Sequence, residues 1–355
     1  MAYVETLPSG KYRAIYRLKT GERRSAGTFT HKRPAKLAAD KAEAEARSLG
    51  WRDPQAGMRT WAEWCAEWWP TRPVEPGTLA RGVPLRDNVL VPKWGDTPLT
   101  DITRHDVKAW AAAMGKSGLA PATVKKRVHL LSASLAAAVD AEILTTNPAY
   151  RIKITSGQTD VRRYLTYEEQ ADLLAQVGPP VDNALGEAVV TTLLGTGIRW
   201  GEMAGLRVER VNFDRKLIRV AEVWDDKLNR LKPYPKGRQI RDVPIVPWVE
   251  PVLRARIANR RSGFIFQTPR GAVIDYQNWR RDTWVPATKR AGLEGVRIHD
   301  LRHTYASTLL QGGVSLAEVG RLLGHVSAQT TQIYAHLLDV DNEPIEAALP
   351  DPRKR

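Results

Sequence analysis

The sequence predicts a multidomain chain. A small basic β-sheet domain comes first (1–55), then an all-α domain (58–150), then a mainly α domain with a small antiparallel sheet (160–355). Three observations predict it. Short alternating segments with glycine turns fill the first 37 residues. Helical periodicity bounded by caps and prolines fills the stretch from 58 to 150. A second alternation interrupts the helical pattern between 217 and 245. A length of 355 residues suits two or three domains.

Composition narrows the partner. The net charge of +15 and the pI near 10 favour a polyanion, most simply nucleic acid, with an acidic membrane surface as the competing reading. An apolar content of 43% with 26% charged residues is ordinary for a folded soluble chain. No apolar run approaches the ~18 residues that span a bilayer. The opening Met1-Ala2-Tyr3-Val4-Glu5 lacks signal-peptide character. Cys65 is the single cysteine, which excludes an internal disulfide and a cysteine-rich zinc site and fits a reducing cytoplasm.

Taken in order, residues 1–37 hold nine Lys or Arg against Glu5 and Glu22, a net +7. Tyr12, Ala14, Tyr16 and Leu18 alternate onto one face, and Ser9-Gly10 and Thr20-Gly21 punctuate the run. Two or three strands are expected, with a return strand at 25–30 and a helix from Pro34 to Leu49. Such a basic sheet can lay strands in a DNA groove, or be merely solvated. After a linker at 50–57, Thr60 and Glu63 open a helix whose Trp61, Trp64 and Trp68 share one face, a core stripe. Helices at 77–91, 103–116 and 121–142 complete an all-α domain, the last with Val124, Val128, Leu131, Leu135 and Val139 on one face. Asn147-Pro148 ends it, and 149–163 reads as a basic linker. Thr166 and Glu169 cap the next helix, and an apolar helix at 184–194 belongs in a core. Strands are expected at 217–223 and 240–245, and helices at 247–262 and 278–291.

Chemistry concentrates near the C-terminus. Four of the seven histidines, His299, His303, His325 and His336, fall between 299 and 336, on what reads as three short helices. Helices are expected from Asp300 to Gln311, from a Ser315–Glu318 capping box to Gly324, and after Ser327. Gly195, Gly197 and Gly201 miss the dinucleotide-binding spacing and follow a helix, so this is no nucleotide fingerprint. They place Arg199 at a bend, with Glu202 one turn on to brace the turn or the guanidinium. Attack on a phosphodiester needs a nucleophile, cations around the developing charge and an acid for the leaving oxygen. Arg199 and Arg302 can fork onto two phosphate oxygens. His299 shares a helical face with Arg302, His325 follows a glycine turn, and Tyr334 offers a hydroxyl for a covalent phosphotyrosine. No cofactor or metal is required. The histidines as a metal set lack a carboxylate partner, and an arginine among them would repel a cation. Taken singly, each residue has a duller reading: an Arg199–Glu202 ion pair, a surface His299 and Arg302, a core Tyr334. The joint pattern outweighs these.

That pattern resembles a known family. Gly197-Ile198-Arg199-Trp200-Gly201-Glu202, His299-Asp300-Leu301-Arg302-His303-Thr304, Leu323-Gly324-His325 and Thr330-Thr331-Gln332-Ile333-Tyr334-Ala335-His336 are similar, in this order, to the signatures of the tyrosine recombinases of phage-integrase type. By motif the resemblance covers 160–340; the two upstream domains fit the family's arm-type and core DNA-binding domains by architecture alone. It implies the tyrosine recombinase catalytic fold. It implies a site of Arg199, a lysine, His299, Arg302, His325 and Tyr334, with Tyr334 forming a 3′-phosphotyrosine and freeing a 5′-hydroxyl. The family places the lysine, a general acid, in the strand-turn-strand region. Lys236 fits best, in Lys236-Gly237-Arg238-Gln239-Ile240-Arg241-Asp242-Val243-Pro244, with Lys232 and Lys227 as alternatives. His303 and His336 are read as structural. The implied partners are double-stranded DNA attachment sites, a homotetramer exchanging strands through a Holliday junction, a host DNA-bending protein and an excision factor, at the nucleoid of a bacterial cytoplasm. In the family the segment after the tyrosine docks on a neighbour, here 337–349, and 350–355 reads as a loose tail. The rivals are a non-catalytic DNA-binding protein and a type IB topoisomerase. The full set of reactive residue types argues against the first, and the separate basic N-terminal module against the second.

Overall fold

The structure is a computed structural model that describes residues 1–18, 21–48, 56–154, 163–177, 184–325, 331–332 and 334, with Lys236 described by its backbone. The chain divides into two compact units, 1–159 and 160–355.

The first unit holds two separate apolar clusters. Strands β1 (Tyr3–Thr6), β2 (Tyr12–Arg17) and β3 (Arg23–Phe29) form an antiparallel sheet in that order, covered by α1 (Lys32–Arg47). Tyr12, Ala14 and Tyr16 share the face packed on the small residues Ala35 and Ala39 of α1, as their alternation predicts. The alternation fails at Ile15, which is also buried. The pairing steps from Ala14–Gly27 to Ile15–Ser25, so β3 carries one extra residue at Ala26, beside Gly27 at φ +115°.

The second cluster is helical. The Thr60 hydroxyl accepts the Glu63 N–H, and the Glu63 carboxylate accepts the Thr60 N–H, opening α2 (Trp61–Trp68). Trp61, Trp64 and Trp68 are buried, and the Trp61 and Trp64 indole N–H groups each donate at 2.8 Å to Ser134, one to its hydroxyl and one to its carbonyl. α3 (Pro76–Leu85) and α4 (Val91–Trp94) replace the single helix expected at 77–91. Between them lies a wide π turn, 86–90, in which the Val91 N–H reaches back to the Arg86 carbonyl. Pro92 explains it: its ring would clash with the carbonyl four residues back in a regular helix, and the extra residue in the turn relieves the clash. α5 (Arg104–Lys116) and α6 (Pro121–Asp140) follow, and Val124, Val128, Leu131 and Leu135 of α6 are buried. Leu131 is fully enclosed, so Leu131→Ala is expected to cost about 2–5 kcal/mol. Urea denaturation of the chain checks this, and a loss below about 1 kcal/mol would mean that the site collapses without a cavity.

The second unit opens with α7 (Tyr167–Val177), capped reciprocally by Thr166 and Glu169, and α8 (Ala184–Thr196), buried along most of its length. After α9 (Trp200–Ala204) come β4 (Val211–Asn212), β5 (Leu217–Val220), β6 (Val223–Asp225), β7 (Arg230–Lys232) and β8 (Arg241–Pro244). β4, β5 and β8 pair in that order, and β6 and β7 form a separate hairpin. The strand expected over 217–223 therefore ends at Val220, and its last residue belongs to β6. α10 (Glu250–Ile257) is shorter than expected and stops at Ala258, whose φ is +48°. α11 (Tyr276–Trp279) and α12 (Val285–Arg290) are again joined by a π turn, 280–284, two residues ahead of a proline, here Pro286. α13 (Asp300–Gln311) and α14 (Leu316–Leu323) complete the described elements. α13 packs on both α8 and α14, and all its residues from Asp300 to Ser307 are buried. The turn position Thr20, most of the linker at 50–57, 155–162 of the second linker, Ser327, and the segments 337–349 and 350–355 lie outside the described residues.

Candidate active site

The site is built around the start of α13. Asp300 fixes that start: its buried carboxylate accepts the Arg297 N–H at 2.7 Å and pairs with the Arg297 guanidinium. Thr304 ties the helix to the Leu165 N–H at 3.0 Å. Arg302 is thereby carried into the interior, 3% exposed. Its guanidinium donates to the Gly197 carbonyl at 2.7 Å and to the Leu323 carbonyl at 2.5 Å, so one side chain joins the α8–α9 bend, α13 and the end of α14.

The Gly197 contact depends on glycine. Its φ is +61°, and a Cβ there would lie 2.3 Å from the Tyr305 ring. Gly324 closes α14 in the left-handed conformation and brings the chain against Arg241, where a Cβ would sit 3.0 Å from a guanidinium nitrogen.

Arg199 stands at the bend, as its position between two helices predicts, with its side chain 26% exposed. Glu202 does both things expected of it. It accepts the Arg199 N–H at 2.8 Å and holds the Arg199 guanidinium at 3.0 Å. It also pairs bidentately with Arg241, at 3.1 and 2.7 Å, while the Arg241 Nε donates to the Leu322 carbonyl at 2.7 Å. Arg241 escaped the sequence reading. Its signal was there: it shares the inward phase of β8 with Val243, and a charge in that phase requires a buried partner.

Electrostatically, Arg199 and Arg241 pair with the Glu202 carboxylate, and Arg302 feels the charges of all three. Burial, followed by the Arg199 charge, lowers the pKa of Arg302, against the opposing influence of Glu202. Burial pushes the Glu202 carboxyl up, but the hydrogen bonds and charge of Arg241, and then Arg199, hold it at about 2. Among the described residues Arg302 makes two side-chain hydrogen bonds, both to backbone carbonyls and none to a carboxylate.

Tyr334 is 3% exposed, and its hydroxyl lies 2.5 Å from Nδ1 of His303. His303, read from sequence as structural, thus touches the candidate nucleophile. A helical position one residue past Arg302, in a stretch with no solvent face, was the signal that would have found it. His299 caps α13, is exposed, and sets its ring edge-on to His303 at 5.0 Å. His325 follows Gly324, and its Nδ1 meets the Thr331 hydroxyl at 2.9 Å. Ser315 accepts the Glu318 N–H, but the Glu318 carboxylate turns to Arg321, so only half of the expected capping box forms.

The structure therefore brings Arg199, Arg302, His299, His325 and Tyr334 onto the elements around α13. Lys236 lies in a 3-10 turn, 236–238, between β7 and β8, ahead of the return strand rather than within it, with Gly237 at φ +81°. Of the alternatives, Lys232 ends β7 with its ammonium 5.2 Å from the Tyr234 ring, and Lys227 sits in the β6–β7 turn. His336 lies outside the described residues. Among the described residues no group of three or more His, Cys, Asp or Glu is placed to hold a metal ion, and no helix is long and apolar enough to cross a membrane.

The sequence profile of the phage integrase family matches residues 163–340. Tyrosine recombinase XerC of Mycobacterium tuberculosis (strain ATCC 25177 / H37Ra) is 29% identical over 246 residues, covering 67% of this chain and 80% of XerC. The Tn1549 transposon integrase in complex with a circular intermediate DNA superposes with a TM-score of 0.69 at 18% identity, over 81% of this chain and 98% of that one. A lambda integrase tetramer bound to a Holliday junction gives a TM-score of 0.60 at 18% identity, over 92% of this chain and 96% of that one.

The charge cluster makes an acid-stability prediction. The folded pKa of Glu202 lies below the free value of 4.5, so its contribution is complete above pH 4.5 and is lost as pH falls toward 2. Arg241→Met removes the chief opposing influence, leaving burial to raise the carboxyl. The expected result is an acid-unfolding midpoint moved upward in pH, and a loss of about 3–5 kcal/mol at neutral pH. Circular dichroism across an acid titration checks it, and an unmoved midpoint would show that Arg241 does not hold Glu202 ionised.

Proposed function

Because this chain belongs to the phage integrase family of tyrosine recombinases, which carry out site-specific DNA recombination, we propose that it integrates a mobile element into a DNA target and excises it again. The observation that carries the reading is the buried excess of guanidinium around a single carboxylate, with a tyrosine hydroxyl in the same cluster. A phosphodiester supplies the missing negative charge, and its two non-bridging oxygens match two forked donors.

On this reading Arg199 and Arg302 bind the scissile phosphate, with His299 and His325 supporting it. Tyr334 attacks phosphorus, leaving a 3′-phosphotyrosine and a 5′-hydroxyl. Lys236 is the general acid for the 5′ oxygen, on a turn that can approach bound DNA. Rejoining uses a partner strand's 5′-hydroxyl, so bond energy is retained and no cofactor is needed. Residues 1–55 serve as an arm-type DNA-binding domain, 58–150 as the core DNA-binding domain and 160–355 as the catalytic domain. The N-terminal sheet supports the first assignment through its nine-to-two excess of cations over 1–37. The lambda integrase neighbour is a tetramer on a Holliday junction, which supports the same assembly here, with 337–349 as the exchanged contact. A host DNA-bending protein and an excision factor are the expected accessory partners, in the nucleoid of a bacterial cytoplasm.

The test is covalent capture. Sheared genomic DNA of the organism that carries the gene is incubated with the chain, and SDS-resistant complexes are precipitated and sequenced. A discrete attachment site is expected. Tyr334→Phe should abolish capture while binding the recovered site with unchanged affinity. Affinity should also fall steeply as salt is raised from about 50 to 200 mM, since each phosphate contact releases counterions. Failure of the wild-type chain to form any adduct would reject the reading.

A further inference from the structure

We propose that His303, which lies outside the six residues assigned above, holds the Tyr334 phenol for attack and accepts its proton. The inference rests on the recombinase reading and deepens it.

Geometry carries it. His303 Nδ1 lies 2.5 Å from Tyr334 Oη, with both residues buried, at 5% and 3% exposure. A phenol is a stronger hydrogen-bond donor than a neutral imidazole N–H, and an imidazole nitrogen is a stronger acceptor than a phenol oxygen. The bond therefore runs from O–H to Nδ1, with the ring proton on Nε2. Burial keeps water from taking the proton instead. His303 also follows Arg302 directly on α13, so the two side chains leave the helix about 100° apart. One is fixed by the Gly197 and Leu323 carbonyls, and the other is aimed at the nucleophile. One rigid helix thus sets the phosphate-binding cation and the proton acceptor relative to each other. His299 packs its ring edge against His303 at 5.0 Å and limits how that ring can turn.

The step balances. The Oη–phosphorus bond forms, the bond from phosphorus to the 5′ oxygen breaks, and the phenol proton passes to His303 Nδ1, giving an imidazolium. The departing 5′ oxygen takes its proton from the general acid, Lys236 in this account. In rejoining, the 5′-hydroxyl attacks, its proton returns to the lysine, and the released Tyr334 oxygen recovers the proton from His303.

The test uses the full chain and a nicked suicide duplex cut from the attachment site recovered by covalent capture. His303→Asn, which keeps a polar partner for the phenol, is expected to bind this duplex as wild type does and to form adduct about 100-fold more slowly, the lower end of a general base's contribution. His303→Ala is expected to be rescued by added imidazole but not by 1,2,4-triazole, which has the same shape and is much less basic. Selective rescue supports proton acceptance, because a merely structural role would be repaired by either ring. Equal rescue by both rings, rescue by neither, or wild-type rates in His303→Asn would overturn the proposal. If His303→Ala does not fold, the rate and affinity of His303→Asn decide. Absence of adduct with the wild-type chain would instead reject the recombinase reading itself, and the inference with it.

Discussion

The buried pairing of Glu202 with Arg241 is the interaction on which the rest of the second unit depends. It holds a carboxylate ionised in the interior and ties β8 to α9. The same carboxylate reaches Arg199, and Arg241 reaches the Leu322 carbonyl at the end of α14. Burying charge is unfavourable unless every member is paired. Here the pairing is incomplete: Glu202 holds Arg241 and Arg199, while Arg302 rests on two backbone carbonyls without a carboxylate of its own among the described residues. The fold tolerates the surplus because α13 is locked at Asp300, at Thr304 and by its packing on α8. A site held open in this way is preorganised for an anion, since the donors are already oriented and little needs to rearrange on binding.

Glycine sets the distances. Gly197 lets the α8–α9 bend press against Tyr305, and Gly324 lets the end of α14 press against Arg241. Both lie beside residues that the sequence marks as reactive, Arg199 and His325. The glycines are therefore part of the same device as the charged groups: without them the three backbone segments around Arg302 would not meet.

Much of this was legible in the sequence. The capping signals at Thr60 and Thr166 stand in the structure, because a cap is a local interaction among residues three apart. The tryptophan stripe of α2 is buried for the same reason of short-range periodicity. Arg199 and Arg302 were singled out by residue type and position, and the chain places them in one electrostatic cluster. What could not be read was long-range pairing. Local pattern can mark Arg241 and His303 as inward-facing, but it does not name their partners: Arg241 is 39 residues from Glu202, and His303 is 31 from Tyr334. The π turns were not legible because the helical pattern over 278–291 continues through Pro286 and that over 77–91 ends just before Pro92, with nothing local to mark a turn widened by one residue. The strand expected over 217–223 is longer than the one that forms, because alternation does not reveal where a chain leaves one sheet for another.

The central claim is that the phosphate bound by this guanidinium cluster becomes bonded to one particular oxygen. Mass spectrometry of the trapped protein–DNA adduct, after nuclease and protease digestion, tests it most directly. The account predicts a single modified peptide, carrying a nucleotide joined through its 3′-phosphate to Tyr334, and a free 5′-hydroxyl on the released strand. A nucleotide on any other residue, or one joined through a 5′-phosphate, would contradict it.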